Sequence, residues 1–240
     1  DTLSLHDALP IYYFFDREIT PRDENGDYDF ESIYALDLKL FNKDLELLLS
    51  GEEIEIPSFN FKTGRREWVN NKIKMPQNGI VIVEGIHGLN EILTSSIPKE
   101  SKFKIYISPL TQLNLDDHNR ISTTDVRMIR RIVRDYLSRG YNAEDTLKMW
   151  PSIKRGEEKN IFVFQEQADA MFNSSLVYEL CVLKKIALIE LNKIGQDSPV
   201  YYEASKLRSF LNFFADVDKD LVPDNSIIRE FTGGSCFYQY

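Results

Sequence analysis

Residues 79–85 read Gly-Ile-Val-Ile-Val-Glu-Gly. Consecutive β-branched side chains with no polar residue among them leave no face for water. A strand covered on both faces of a parallel sheet reads this way. Parallel strands cannot be joined by a tight turn and need a crossover, usually a helix. The chain offers one: a helix around residues 89–93, then a second buried strand over residues 103–107. That order implies a right-handed crossover and an α/β fold. Ligands of such sheets bind beyond the carboxyl ends of the strands, so Glu84 is expected to face a site.

The flanking segments complete the plan. A short aromatic strand from Tyr12 runs into a turn-rich loop with Pro21, Asn25 and Gly26. Residues 30–49 form an amphipathic helix with Ile33, Leu36, Leu40, Leu45 and Leu48 near one face and Gly51 past its end. Residues 53–61 alternate around Pro57, as an edge strand does, then turn at Lys62-Thr63-Gly64-Arg65 and return through Trp68 and Val69. Helices are expected over residues 115–139, 143–155, 176–191 and about 204–214, with a tail from Pro223. The first eleven residues, DTLSLHDALPI, have no clear period. They are expected to be a non-native leader, a natural irregular arm being the alternative.

At 42% hydrophobic over 240 residues the chain can bury a sizeable core. A net charge of -9 argues against general binding to nucleic acid or anionic membranes, so any polyanion site must be local. No apolar run approaches the roughly 20 residues of a membrane span. Cys181 and Cys236 lack metal-like spacing and read as bystanders of a reducing compartment. These features together read as a soluble cytoplasmic protein. Within this acidic chain, Arg120, Arg127, Arg130, Arg131 and Arg134 fall in an arc of about 100° if the segment is helical. Arginine forks suit phosphate oxygens; a solvated basic face paired with acids is the alternative. An acid closing a strand, to organise Mg²⁺, and an arginine helix together describe phosphoryl-transfer machinery.

YDFESIYALD (residues 28–37), IPSFNF..GRR (56–66), GIVIVEGIHGL (79–89) and RRIVRDYLSRG (130–140) follow one another in an order that resembles the uridine kinase and phosphoribulokinase family. The resemblance runs from about residue 12 to about 185. The ending PDNSIIREFTGGSCFY is similar to a bacterial nucleoside-kinase subgroup, whose kinase follows a segment related to threonyl-tRNA synthetase N-terminal domains. The resemblance implies a P-loop-kinase-like α/β fold: a parallel sheet flanked by helices with a helical lid at about 127–165, in a domain over residues 12–193. Residues 194–240 would be a helical extension and tail. It implies transfer of the γ-phosphoryl of ATP or GTP to the 5′-hydroxyl of a uridine-like nucleoside, with Mg²⁺. Asp29 would contact the sugar, Phe59 and Phe61 the base, and Arg66 and Arg131 the acceptor side. Arg130, Arg134 and Arg139 would be lid arginines on the ATP phosphates. Glu84, with Arg134, would serve the chemistry, holding the metal directly or through water.

Departures from the family pattern are equally specific. No G-x-x-x-x-G-K-[ST] phosphate loop occurs in these residues, and the first strand that carries it in the family is missing. The family's Ser-x-Asp, which supplies the catalytic base, is replaced by Pro10-Ile11, neither of which accepts a proton. Gly64 and Tyr141 stand where uridine kinases carry basic residues near the base. The expectation is therefore a kinase fragment that is inactive or nearly so by itself, monomeric or a homo-oligomer. The rivals are a kinase of this family with another small acceptor, a non-catalytic nucleotide- or RNA-binding regulator, and a pseudokinase whose arginines only form salt bridges. His87 is expected to start a helix. His118, Gln165, Asp169 and Asn173 carry no assigned chemistry.

Overall fold

The computed structural model describes residues 12–24, 26, 28–60 and 63–237. The expected leader (residues 1–11), Asn25, Asp27, Phe61, Lys62 and 238–240 lie outside them. The chain divides into two compact units, one of the residues up to Tyr106 with Arg155–Ala170, the other of Ile107–Lys154 with Met171–Tyr240.

In the first unit, helix α1 (Leu38–Leu49) begins eight residues later than its periodicity suggests. Two caps explain the delay. Ser32 accepts a hydrogen bond from the Tyr34 amide and holds a separate 3₁₀ turn (Ile33–Ala35), and Asp37 accepts from the Leu40 amide at 3.1 Å to start α1. Phe41, Leu45 and Leu48 then meet Tyr13, Ile54, Ile56 and Leu93 in the core. Strands β1 (Glu53–Asn60) and β2 (Arg65–Lys74) form an antiparallel hairpin whose register shifts between Ile56 and Ser58. Pro57, with no N–H for the ladder, sits at that irregularity. Gly64 closes the turn at φ +70°, where a Cβ would press to 2.8 Å from Arg17 Nε.

Residues 79–85 do not form the expected strand. Only Val81 makes an isolated bridge. Val81 and Val83 pack on the core, while Ile80 and Ile82 are 64% and 49% exposed. β-branched residues favour extended backbone, but a strand exists only where a neighbour completes its ladder. The helix near residues 89–93 is likewise a chain of tight turns: the Gly88, Asn90 and Leu93 amides each donate three residues back. The aromatic strand at Tyr12 reduces to a Phe14–Leu36 bridge. Among the named strands, β3 (Ile105–Ser108) and β4 (Ala170–Asn173) pair in parallel. There the Lys104 carbonyl accepts from Ala170 and the Ser108 carbonyl from Ser174. The described residues thus hold two two-stranded sheets among helices, in place of one larger parallel sheet.

The second unit is helical. Helix α2 (Thr123–Arg134) starts at Ser122, whose Oγ accepts from the Asp125 amide at 3.3 Å. The expected start near residue 115 is pre-empted, because the Asp116 carboxylate takes the His118 and Asn119 amides, both at 2.8 Å. After Arg134 the chain widens into a π-helical turn (Asp135–Arg139) ended by Gly140 at φ +72°. Helices α3 (Ala143–Asn160), α4 (Glu179–Leu191), α5 (Tyr201–Leu211) and α6 (Arg229–Thr232) follow. Ile129, Ile132, Leu183, Leu191, Leu207 and Ile228 form the centre of its core. Among the described residues no helix is long and apolar enough to cross a membrane.

Candidate active site

Asp29 sits in a tight local turn of the first unit. Its Oδ1 accepts from the Glu31 amide at 3.1 Å, and its Oδ2 lies 3.7 Å from Lys159 Nζ. The Glu31 carboxylate presses on Gly156 so closely that a Cβ there would overlap Oε2 at 1.3 Å. The His87 imidazole is 4% exposed, and its Nδ1 has no hydrogen-bond partner among the described residues. Burial holds its pKa below the usual histidine value, while the Glu31 backbone and the Asp29 charge act the other way. It starts no helix, contrary to the sequence expectation; it is buried in the turn that follows Glu84.

Phe59 is buried, its ring 5.5 Å from Phe14, which in turn meets Phe30 at 6.4 Å. Tyr28 extends the cluster and carries Arg22 4.3 Å from its ring centre. Arg66 Nη1 donates to Asp37 Oδ2 at 2.9 Å, its amide donates to Asp16 Oδ1 at 2.9 Å, and its guanidinium lies 5.8 Å from the Phe15 ring centre. Asp37 thus caps α1 and orients Arg66 together. Phe61 lies outside the described residues. Glu84 is exposed. As a single hard oxygen donor it fits Mg²⁺ only with phosphates or waters completing the shell. Among the described residues no cluster of three or more His, Cys, Asp or Glu could hold a metal by itself.

The arginines of the second unit separate into two kinds. Arg120 lies outside α2 and donates from Nη2 to the Thr111 carbonyl at 2.7 Å. Arg130 is 8% exposed: Nε donates to Glu179 Oε2 at 2.5 Å, Nη1 and Nη2 donate to Ser174 Oγ and O at 3.2 and 2.6 Å, and Phe231 lies beneath it. That corrects the expectation of a lid arginine, because these bonds hold its guanidinium inside the protein. One residue's difference in phase on α2 turns Arg130 inward and leaves Arg131 half-buried.

Arg131, Arg134 and Arg139 converge on Asp135, which is 0% exposed. Arg131 Nε donates to Oδ2 at 3.2 Å, Thr146 Oγ1 donates to the same oxygen at 3.3 Å, and Arg134 and Arg139 stand 3.7 and 3.6 Å from Oδ1. These four groups alone carry a formal charge of +2, which the Glu230 carboxylate offsets in part at Arg134. Burial, and next the neighbouring Arg139, lower the pKa of Arg134. A preorganised, partly desolvated positive cluster of this kind favours a multiply charged anion. Sequence reasoning gave Asp135 no role. The signal was present, since an acid flanked by arginines at i−4 and i+4 is placed to gather both.

Residues 12–179 match the Phosphoribulokinase / Uridine kinase family. The chain therefore belongs to the Phosphoribulokinase / Uridine kinase family, a family of kinases. It is similar to the uridine kinases of Staphylococcus aureus strains JH9 and Newman, at 25% identity over 145 residues. Those residues are 60% of this chain and 61% of each relative's length.

Proposed function

We propose that this chain carries the acceptor side and the arginine lid of a nucleoside kinase, which transfers the γ-phosphoryl of ATP or GTP to the 5′-hydroxyl of a uridine-like nucleoside. The observation that carries the reading is the +2 cluster of Arg131, Arg134 and Arg139 on Asp135. Phosphoryl transfer asks a protein mainly for positioning and charge stabilisation. Asp135 fixes three guanidiniums before any anion arrives, so little reorganisation is left for the reaction.

Asp29 binds sugar hydroxyls, Phe59 and Phe61 flank the base, and Arg66 and Arg131 steer the acceptor. Arg134 and Arg139 take the donor phosphates and, as a lid, keep water from the transferring group. Glu84 is the residue that holds Mg²⁺ beside the phosphates. When bound, the ion neutralises phosphate charge. Such an enzyme draws on ATP in the cytoplasm. These 240 residues include no G-x-x-x-x-G-K-[ST] loop, so the chain alone is expected to bind but not to turn over.

Calorimetric titration of the purified chain with uridine and with tripolyphosphate tests both halves. Uridine binding is expected to vanish in Asp29→Asn. Polyphosphate binding is expected to weaken about tenfold or more in Arg134→Gln/Arg139→Gln and to fall with salt. A wild-type chain that binds neither ligand overturns the reading.

A further inference from the structure

We propose that Arg17 reads the edge of the acceptor's ring, its guanidinium standing at the hairpin turn in the place that a side chain at residue 64 would take. The role rests on the kinase reading above; the seat rests on the distances alone.

Residues 14–17 run along the end of the hairpin that carries Phe59 and Arg66, which are cross-strand partners and share a face. The Phe14 ring lies 5.5 Å from Phe59, and the Phe15 ring centre 5.8 Å from the Arg66 guanidinium. Asp16 Oδ1 accepts from the Arg66 amide at 2.9 Å, and the Arg17 amide donates to the Gly64 carbonyl at 2.8 Å. These bonds fix the backbone of residue 17 against the turn. The Arg17 side chain then lies so close over Gly64 that a Cβ there would stand 2.8 Å from Nε and 3.0 Å from Cζ. Glycine thus serves twice at residue 64, for its φ of +70° and for the space that Arg17 fills. Ordering so long a side chain costs rotamer entropy, and a fork seated in advance loses less of it on meeting a ligand.

The ligand chemistry follows from the guanidinium. It only donates, through planar N–H groups, and it stays charged at any working pH. With Phe59 against the plane of a base, a guanidinium at the end of the hairpin is left to the edge. There it pairs with a ring carbonyl and is mismatched to an exocyclic amine, which also donates. Uracil accepts at O4 where cytosine donates from N4. The ligand is therefore a nucleoside whose base carries a keto oxygen at that edge.

Calorimetric titrations of the full chain with uridine and with cytidine test this, for wild type, Arg17→Ala, Gly64→Asn and the double variant. Wild type is expected to bind uridine more tightly than cytidine. Arg17→Ala is expected to lose about tenfold in uridine affinity while cytidine changes little, so that the preference collapses. Gly64→Asn keeps the turn, since asparagine tolerates positive φ, but its Cβ displaces the guanidinium and should reproduce the collapse. In the double variant the two losses should not add, because both remove one contact. Should Arg17→Ala not fold, Arg17→Gln, which keeps the stem without the charge, is read in its place. Equal wild-type affinities, a preference retained in Arg17→Ala, or both nucleosides weakened equally would overturn the assignment and leave the kinase reading standing. A wild-type chain that binds neither nucleoside removes both.

Discussion

Replacing Arg130 with methionine separates a structural arginine from a phosphate-binding one. Methionine keeps the length and the apolar stem but deletes three hydrogen bonds and the charge facing Glu179. Glu179 then stays buried with two donors, Ser175 Oγ at 3.3 Å and the Leu176 amide at 3.1 Å, and the Ser174 carbonyl loses the Arg130 donor. Removing one partner of a buried ion pair costs about 3–5 kcal/mol. The surviving donors put the expectation at the lower end, about 3 kcal/mol, or roughly 10 °C in Tm for a unit of this size. Urea unfolding in a Trp68→Phe background, followed by Trp150 fluorescence, reports on the second unit alone. The double variant Arg130→Met/Glu179→Leu, which removes both charges, is expected to recover most of the loss. Tripolyphosphate affinity of the folded single variant should match wild type. A loss under about 1 kcal/mol, or weakened polyphosphate binding at unchanged stability, would refute the reasoning and return Arg130 to the lid.

Two further outcomes follow from the same electrostatics. Asp135→Asn leaves Arg131, Arg134 and Arg139 facing one another, and because these arginines are partly exposed the expected loss is about 2 kcal/mol. Added polyphosphate should stabilise this variant more than wild type in thermal melts; equal shifts would count against the cluster as an anion site. The buried His87 gives a pH signature. With its folded pKa below the ordinary 6.5, the unfolded chain takes the proton first, so stability should fall as pH drops below about 6.5, by at most about 1.4 kcal/mol per pH unit for this one proton. The Glu91 carboxylate, held at about 2 by hydrogen bonds from Lys102 and Lys104, contributes fully above its unfolded value of 4.5 and loses that contribution progressively as pH falls from there to about 2, below the range used here. Urea midpoints between pH 7.5 and 5.5 should therefore decline in wild type and flatten in His87→Gln; parallel curves would show that His87 does not titrate as described.

Local chemistry was legible in the residues alone. Pro57 announced a short or edge strand, Gly64 a turn, and the apolar run of residues 176–191 a helix, and all three stand in the fold, with a register shift at Pro57 and a positive φ at Gly64 that only the structure shows. The ordered motifs likewise pointed to the family that residues 12–179 match. These signals are carried by a residue's own backbone limits, or by a periodicity that a short window contains. Tertiary structure decided the rest. The run at residues 79–85 is extended in preference but carries only a single bridge at Val81, because a strand is a property of two segments. The arginine helix had the right composition, yet which guanidinium turned inward depended on Glu179 and Ser174, more than forty residues away. Asp135 became a hub only when folding brought Arg131, Arg134, Arg139 and Thr146 around it. Sequence determined which side chains were on hand for phosphate chemistry; folding decided which of them remained available for it, because burial and pairing are fixed by contacts that no local window contains.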